Sequence, residues 1–156
     1  MDMKKGLMTD LCIALILLLF TYSSISKFLD LKNFIFQMYR APLPLMKIMA
    51  PVLGWLIPAI ESLIVIGLFS NRFRLRALYA SFALLVLFEL YITGMILSGL
   101  HLPCSCGGVI AQMSWKEHIP FNAFFIALTF YAIYEIKASG DQDKNKEKKF
   151  KELSRA

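Results

Sequence analysis

The sequence predicts an all-α integral membrane protein: a four-transmembrane-helix bundle with a short interfacial helix in its first outer loop. Three observations carry this. The chain of 156 residues is 58% hydrophobic and only 18% charged, too little charge to cover a water-soluble domain of that length. Its apolar residues gather in four runs of about 20 residues, the length that crosses a bilayer core as a helix. None of the runs shows the alternation expected of a strand.

The first run covers residues 7–28 and contains "LCIALILLLF". Lys4 and Lys5 before it and "SSIS" after it are also features of a cleaved signal peptide. Removing it would leave three helices with the termini on opposite sides, so the run is read as a retained helix. Cys12, flanked by apolar residues, reads as a small packed hydrophobe.

The loop that follows carries "DLKNFIFQMYR". Asp30 can cap a short helix there. Leu31, Phe34, Ile35 and Met38 fall at i, i+3, i+4 and i+7, one apolar stripe, with Lys32 and Gln37 facing away. A helix of this kind lies at a membrane interface. The prolines of "APLPL" end it.

The second run, 50–70, and the third, 75–98, are joined by a short basic loop. The fourth, 115–136, is preceded by "SWKE", residues 114–117, which matches a capping box, and Trp115 suits the membrane–water boundary. Pro120 predicts a kink or a later start. The chain thus divides into a four-helix membrane domain, 1–136, and a basic tail, 137–156, read as a solvated cytoplasmic end.

Charge sets the orientation. Twelve of the 17 basic residues fall in the N-terminus, the 71–76 loop and the tail; the other five are Lys27, Lys32, Arg40, Lys47 and Lys116. Basic residues favour the cytoplasmic side, so both termini are expected there and the loops 29–49 and 99–114 outside. The net charge of +6 follows this topology and forms no basic stripe interleaved with aromatics, so no nucleic-acid partner is expected. Membrane lipid is the expected surrounding.

The second outer loop holds "LPCSCGGVI", residues 102–110. Cys104 and Cys106 would face the oxidising side, where disulfides persist. Cysteines two apart close a tight, strained ring, and strain makes a disulfide easier to reduce. Such a bond suits exchange better than stapling, since it closes almost no loop. Gly107 and Gly108 allow positive φ and close approach by another chain. Their amides are also candidates to stabilise a thiolate at Cys106. Two other readings stand beside this one. One is a plain structural disulfide. The other is a metal site built from His101, Cys104, Cys106 and His118, two sulfurs and two nitrogens in a spacing that matches no standard zinc pattern.

Glu61 falls mid-span in the second run and Glu89 mid-span in the third. A carboxylate at the bilayer centre costs roughly 2.5–3.5 kcal/mol on insertion scales, so each should face the bundle interior and find a partner. Tyr22, Ser23, Ser26, Lys27 and Asn122 are the candidates. Either the pairing serves a proton or substrate site under the outer loop, or it is an interhelical hydrogen bond.

Several features taken together resemble a known family: four helices, "SKFLDLKNF" after the first, "PAIE" in the second, "LYASFALLVLF" in the third, and "PCSCGG" followed by "SWKEHIPFN". Their order and spacing resemble the MauE branch of the MauE/DoxX family of redox-associated bacterial membrane proteins, over about residues 7–136. The resemblance implies a four-helix bundle in the bacterial inner membrane. It also implies a part in maturing a periplasmic, disulfide-rich enzyme subunit beside a thioredoxin-like partner. From the DoxX side it makes a quinone a candidate cofactor. Carried over residue by residue, it places the cysteine pair on Cys104 and Cys106, the basic residue of the first helix on Lys27 and the acid of the second on Glu61. One departure matters: four-helix disulfide generators of the DsbB and vitamin K epoxide reductase types relay electrons through two cysteine pairs, and this chain has one outward pair.

The expectation is therefore a multi-pass inner-membrane protein that supports thiol–disulfide exchange in the periplasm. It would act either as a thiol–disulfide oxidoreductase or as an accessory subunit of one, with Cys104 and Cys106 reacting and Gly107, Gly108, Glu61, Lys27 and Asn122 in support. The alternative is a non-enzymatic scaffold or a metal-binding Cys/His assembly factor.

Overall fold

Five α-helices follow one another in the computed structural model, which describes residues 3–40, 44–98 and 115–153. They are α1 (Met3–Leu29), α2 (Leu31–Tyr39), α3 (Pro44–Phe69), α4 (Arg74–Leu97) and α5 (Trp115–Leu153). No strand occurs among the described residues. At 1.5 Å per residue, the four long helices are each about 35 Å or more, enough to cross a hydrocarbon core of ~30 Å. Segments Gly6–Leu29, Met46–Phe69, Arg74–Gly94 and Glu117–Gly140 are apolar enough to do so.

Burial is consistent with a lipid surrounding. Only 28–33% of the residues in the most apolar stretch of each span are buried within the chain. Leu18, Leu63, Ile66, Leu87, Leu90 and Phe130 are all more than 60% exposed. Soluble monomers rarely show apolar surface on this scale, whereas hydrocarbon accepts it. Inside, Ile16 and Phe20 of α1, Ile64 and Leu68 of α3, Leu78 and Leu85 of α4, and Phe125 and Ile133 of α5 meet in one core.

Helices in lipid gain little from apolar burial against each other, so close packing and interhelical hydrogen bonds hold them together. Small residues mark the crossings. A Cβ placed on Gly67 of α3 would sit 2.9 Å from the Cβ of Ala77 on α4. Ser81, Thr129 and Ala132 are fully enclosed. The α1–α3 contact adds hydroxyls: Ser24 Oγ and Ser62 Oγ lie 2.7 Å apart, within reach of Pro58 O at 3.1 and 2.9 Å. A tight turn, with Phe73 N and Arg74 N both donating to Ser70 O, joins α3 to α4.

The short helix forms where the stripe predicted it. Phe34 and Met38 are buried against Ala50, with Leu31, Ile35, Leu53 and Ile57 packed around them, so α2 lays its apolar face on the first half of α3. The approach is close at one point: a Cβ on Gly54 would collide with the Ile35 side chain. The path bends at Asp30, with φ −122° and ψ 45°. Asp30 N still donates to Ser26 O, and Phe34 N to Asp30 O, so the backbone ladder passes almost unbroken from α1 to α2.

Several details differ from the sequence expectation. Asp30 is the N-cap residue, but its carboxylate accepts from the Asn33 side-chain amide at 3.1 Å and caps no backbone N–H. Lys32 is exposed as expected, whereas Gln37 is half-buried. The helix of the second run begins at Pro44, six residues before 50, because a proline at the first helical position lacks an N–H that would be unpaired anyway. Pro51 and Pro58 lie inside α3 without ending it. Pro120 lies inside α5, which starts at Trp115, and α5 continues well past 136, to Leu153.

Candidate functional site

The last turn of α1 and the middle of α3 bring one cation to one anion. Lys27 Nζ lies 2.6 Å from Glu61 Oε1, and both side chains are more than nine-tenths buried. Ser23, one turn before Lys27, joins them: its hydroxyl donates to Glu61 Oε1 at 3.0 Å and accepts from Lys27 Nζ. The Phe34 ring of α2 lies 5.7 Å from the ammonium, a cation–π contact in a desolvated setting. Glu61 Oε2 is buried and has no hydrogen-bond partner among the described residues.

A second polar pair joins α5 to α4. Asn122 Nδ2 donates to Glu89 Oε2 at 2.9 Å and to Leu85 O at 3.0 Å. One turn earlier on α5, His118 is 2% exposed and meets the Phe88 ring edge-on, 6.5 Å between centroids.

Between the two pairs lies a cavity of about 400 Å³. All five helices line it, through residues such as Phe20, Phe34, Ile57, Leu84, Phe88 and Phe121. Ser23, Lys27, Glu61, Tyr91, His118 and Asn122 supply its polar groups. The volume falls in the range of sites that hold small molecules: mostly apolar walls with a few placed polar groups.

Of the residues singled out from the sequence, the structure brings Ser23, Lys27 and Glu61 into contact, and Asn122 lines the same cavity. Asn122 pairs with Glu89, however, and not with Glu61. The Ser26 hydroxyl donates within its own helix, to Ser23 O at 3.1 Å. Cys12 is buried in α1. Cys104, Cys106, Gly107, Gly108 and His101 lie outside the described residues. His118, considered for a metal, stands in the cavity wall, and no cluster of three or more His, Cys, Asp or Glu side chains occurs among the described residues.

Sequence reasoning did not single out Phe34, Phe88 and Tyr91 as companions of the charged residues. For His118 a signal was present: it stands four residues before Asn122, on the same helical face.

Four apolar helices packed around a buried ion pair, with a cavity beside it, define a multi-pass membrane protein of the four-helix-bundle class. The chain belongs to the MauE family, described as methylamine utilisation protein MauE, which matches residues 5–135. That match takes in α1 to α4, the connection between α4 and α5, and the spanning part of α5, and it gives the protein a membrane-associated role in a methylamine-utilisation context. No curated protein and no solved structure matches the chain.

Proposed function

We propose that this protein supports thiol–disulfide exchange on the periplasmic face of the bacterial inner membrane, through Cys104 and Cys106, in the maturation or redox maintenance of an exported protein. The observation that carries the reading is the C-x-C pair itself, set between proline and two glycines in the connection from α4 to α5. In a bundle of four consecutive spans, that connection opens on the side opposite both termini. The basic residues favour the termini, so the pair faces the oxidising compartment.

Membership of the MauE family supports the reading, because the family's methylamine-utilisation role is a membrane-associated one. A thioredoxin-like protein is the partner, since a C-x-C disulfide closes a tight, reducible ring, and the two glycines that follow it in the sequence suit close approach by a partner's thiolate. In the exchange, the partner's thiolate attacks one sulfur of the Cys104–Cys106 disulfide. The other leaves as a thiolate, and a second partner thiol then resolves the mixed disulfide, so the partner is oxidised as this pair is reduced. The reverse sequence balances equally.

The test is to trap the mixed disulfide. Cys104→Ser and Cys106→Ser chains are expressed in the native membrane, thiols are quenched with acid, and adducts are separated without reductant. One of the two variants should accumulate a reductant-sensitive adduct with a thioredoxin-like periplasmic protein. If neither does, and both retain the wild-type effect on the client protein, the reading fails.

A further inference from the structure

We propose that the outer surfaces of α4 and α5, where the two helices meet, bind one anionic phospholipid, with its phosphate between Arg76 and Lys137 and an acyl chain along both helices toward the bilayer centre. The proposal is independent of the thiol reading and of the cavity.

The first observation is the face on which Arg76 stands. Ala83, Leu87 and Leu90 follow it at i+7, i+11 and i+14, within about 40° of one line along a helix. Arg76 and Ala83 are exposed, and Leu87 and Leu90 are each 64% exposed, so this is the face of α4 given to hydrocarbon. A guanidinium on that face, two residues into a span that begins at Arg74, lies at headgroup depth. α5 repeats the arrangement from its other end. Tyr134 and Phe130, both 62% exposed, precede the exposed Lys137 by three and seven positions, and the span ends soon after, at Gly140.

The second observation is that the two cations come to one place. Lys137 Nζ lies 5.5 Å from the centroid of the Tyr79 ring, and Tyr79 stands one turn from Arg76 on α4. The Arg76 guanidinium lies 5.9 Å from the centroid of Phe73. A ring attracts a cation without neutralising its charge. Exposed Arg72 and half-buried Arg74 stand beside them, and among the described residues no carboxylate pairs with Arg72, Arg74 or Arg76.

Charge chooses the head of the ligand and the apolar face chooses its tail. A small soluble anion would answer the cations and leave Leu87, Phe130 and Tyr134 unused. A zwitterionic lipid would cover those residues but bring a cation of its own. A phospholipid of net negative charge meets both, and each basic residue at the surface adds to its binding.

Dioleoyl phosphatidylglycerol and dioleoyl phosphatidylcholine share their chains and differ in net charge. Full-length protein in a neutral maltoside detergent is titrated with each and read by native mass spectrometry. It should retain one phosphatidylglycerol per chain, preferred over phosphatidylcholine by about tenfold or more. Arg76→Gln and Lys137→Gln should each weaken retention about fivefold, and the double variant about twenty-five-fold. Ala83→Trp, which alters only the apolar track, should weaken it as well. Lys32→Gln removes an exposed cation of α2, at the opposite end of the bundle, and should bind as wild type. All four positions are exposed, and circular dichroism checks that each variant keeps its helices. Equal retention of the two lipids would overturn the proposal, as would phosphatidylglycerol retention unchanged in the Arg76→Gln/Lys137→Gln variant. Full competition by soluble glycerophosphoglycerol, or retention unaffected by Ala83→Trp, would show a phosphate site without a lipid track and overturn it equally.

Discussion

Lys27 on the last turn of α1 holds Glu61 of α3 by a direct 2.6 Å contact, 34 positions apart in sequence and almost wholly out of reach of solvent. Ser23 bridges the two, and α2 closes over them with Phe34. The pair thus ties together the three elements that form one side of the cavity. Neither charge would be tolerated at this depth alone.

From this follows a stability test. Lys27→Ala and Glu61→Ala should each destabilise the protein by about 3–5 kcal/mol, because each leaves a buried charge without its partner. The double variant Lys27→Met/Glu61→Leu should recover most of the loss, since apolar residues of similar volume replace the whole pair. Unfolding in mixed micelles with increasing dodecyl sulfate measures all three. A double variant as unstable as the sum of the singles would mean that the two residues act separately.

Gly54 is predicted to be the position that lets α2 dock. A methyl group there meets the Ile35 side chain, whereas Gly94 has nothing within 4 Å of an added Cβ. Gly54→Ala should therefore cost about 1–3 kcal/mol by overpacking and speed hydrogen exchange across residues 31–39. Gly94→Ala should be neutral or slightly stabilising, as alanine is the better helix former. Equal behaviour of the two would remove the close approach from the account.

Asn122 should tolerate a change of its amide poorly. Asn122→Leu strips Glu89 of its amide donor; Asn122→Asp sets a second carboxylate beside it. Both should destabilise, and the aspartate more, because like charges in a low dielectric repel. Pairing Asn122→Leu with Glu89→Leu should restore part of the loss. Thermal unfolding in detergent, monitored by circular dichroism, resolves the order, and an aspartate variant more stable than the leucine variant would contradict it.

Much of this was legible beforehand, and for identifiable reasons. The stripe Leu31, Phe34, Ile35 and Met38 needed only helical periodicity, and those four residues are the ones packed on α3. That Glu61 turns inward followed from the cost of a carboxylate in hydrocarbon. Which polar residue would meet it did not, because Ser23, Lys27 and Asn122 all qualified by depth, and only the rotation of each helix decided between them. Asn122 went to Glu89 for that reason. The early start of α3 was hidden because Pro44 reads as a breaker unless it is seen to occupy the first helical position. The cavity could not be read at all: five helices each contribute a few side chains, and no stretch of sequence carries that arrangement.

Topology offers a direct check on the outward placement of the cysteine pair. A membrane-impermeant thiol reagent applied to intact, reduced cells should label Cys104 and Cys106 and leave Cys12, buried in the spanning part of α1, untouched. Labelling of the pair only after lysis would reverse the orientation.

The most direct test of the central claim compares four variants in one assay of the redox state of the exported client. Cys104→Ser and Cys106→Ser should each abolish the protein's effect on that state, while His101→Ala and His118→Ala keep it, and the purified wild-type chain should cycle between dithiol and disulfide on titration with glutathione. If the histidine variants fail as fully as the serine variants, and the purified protein carries one zinc or copper ion per chain, the pair is a metal site and thiol–disulfide exchange is not what this protein does.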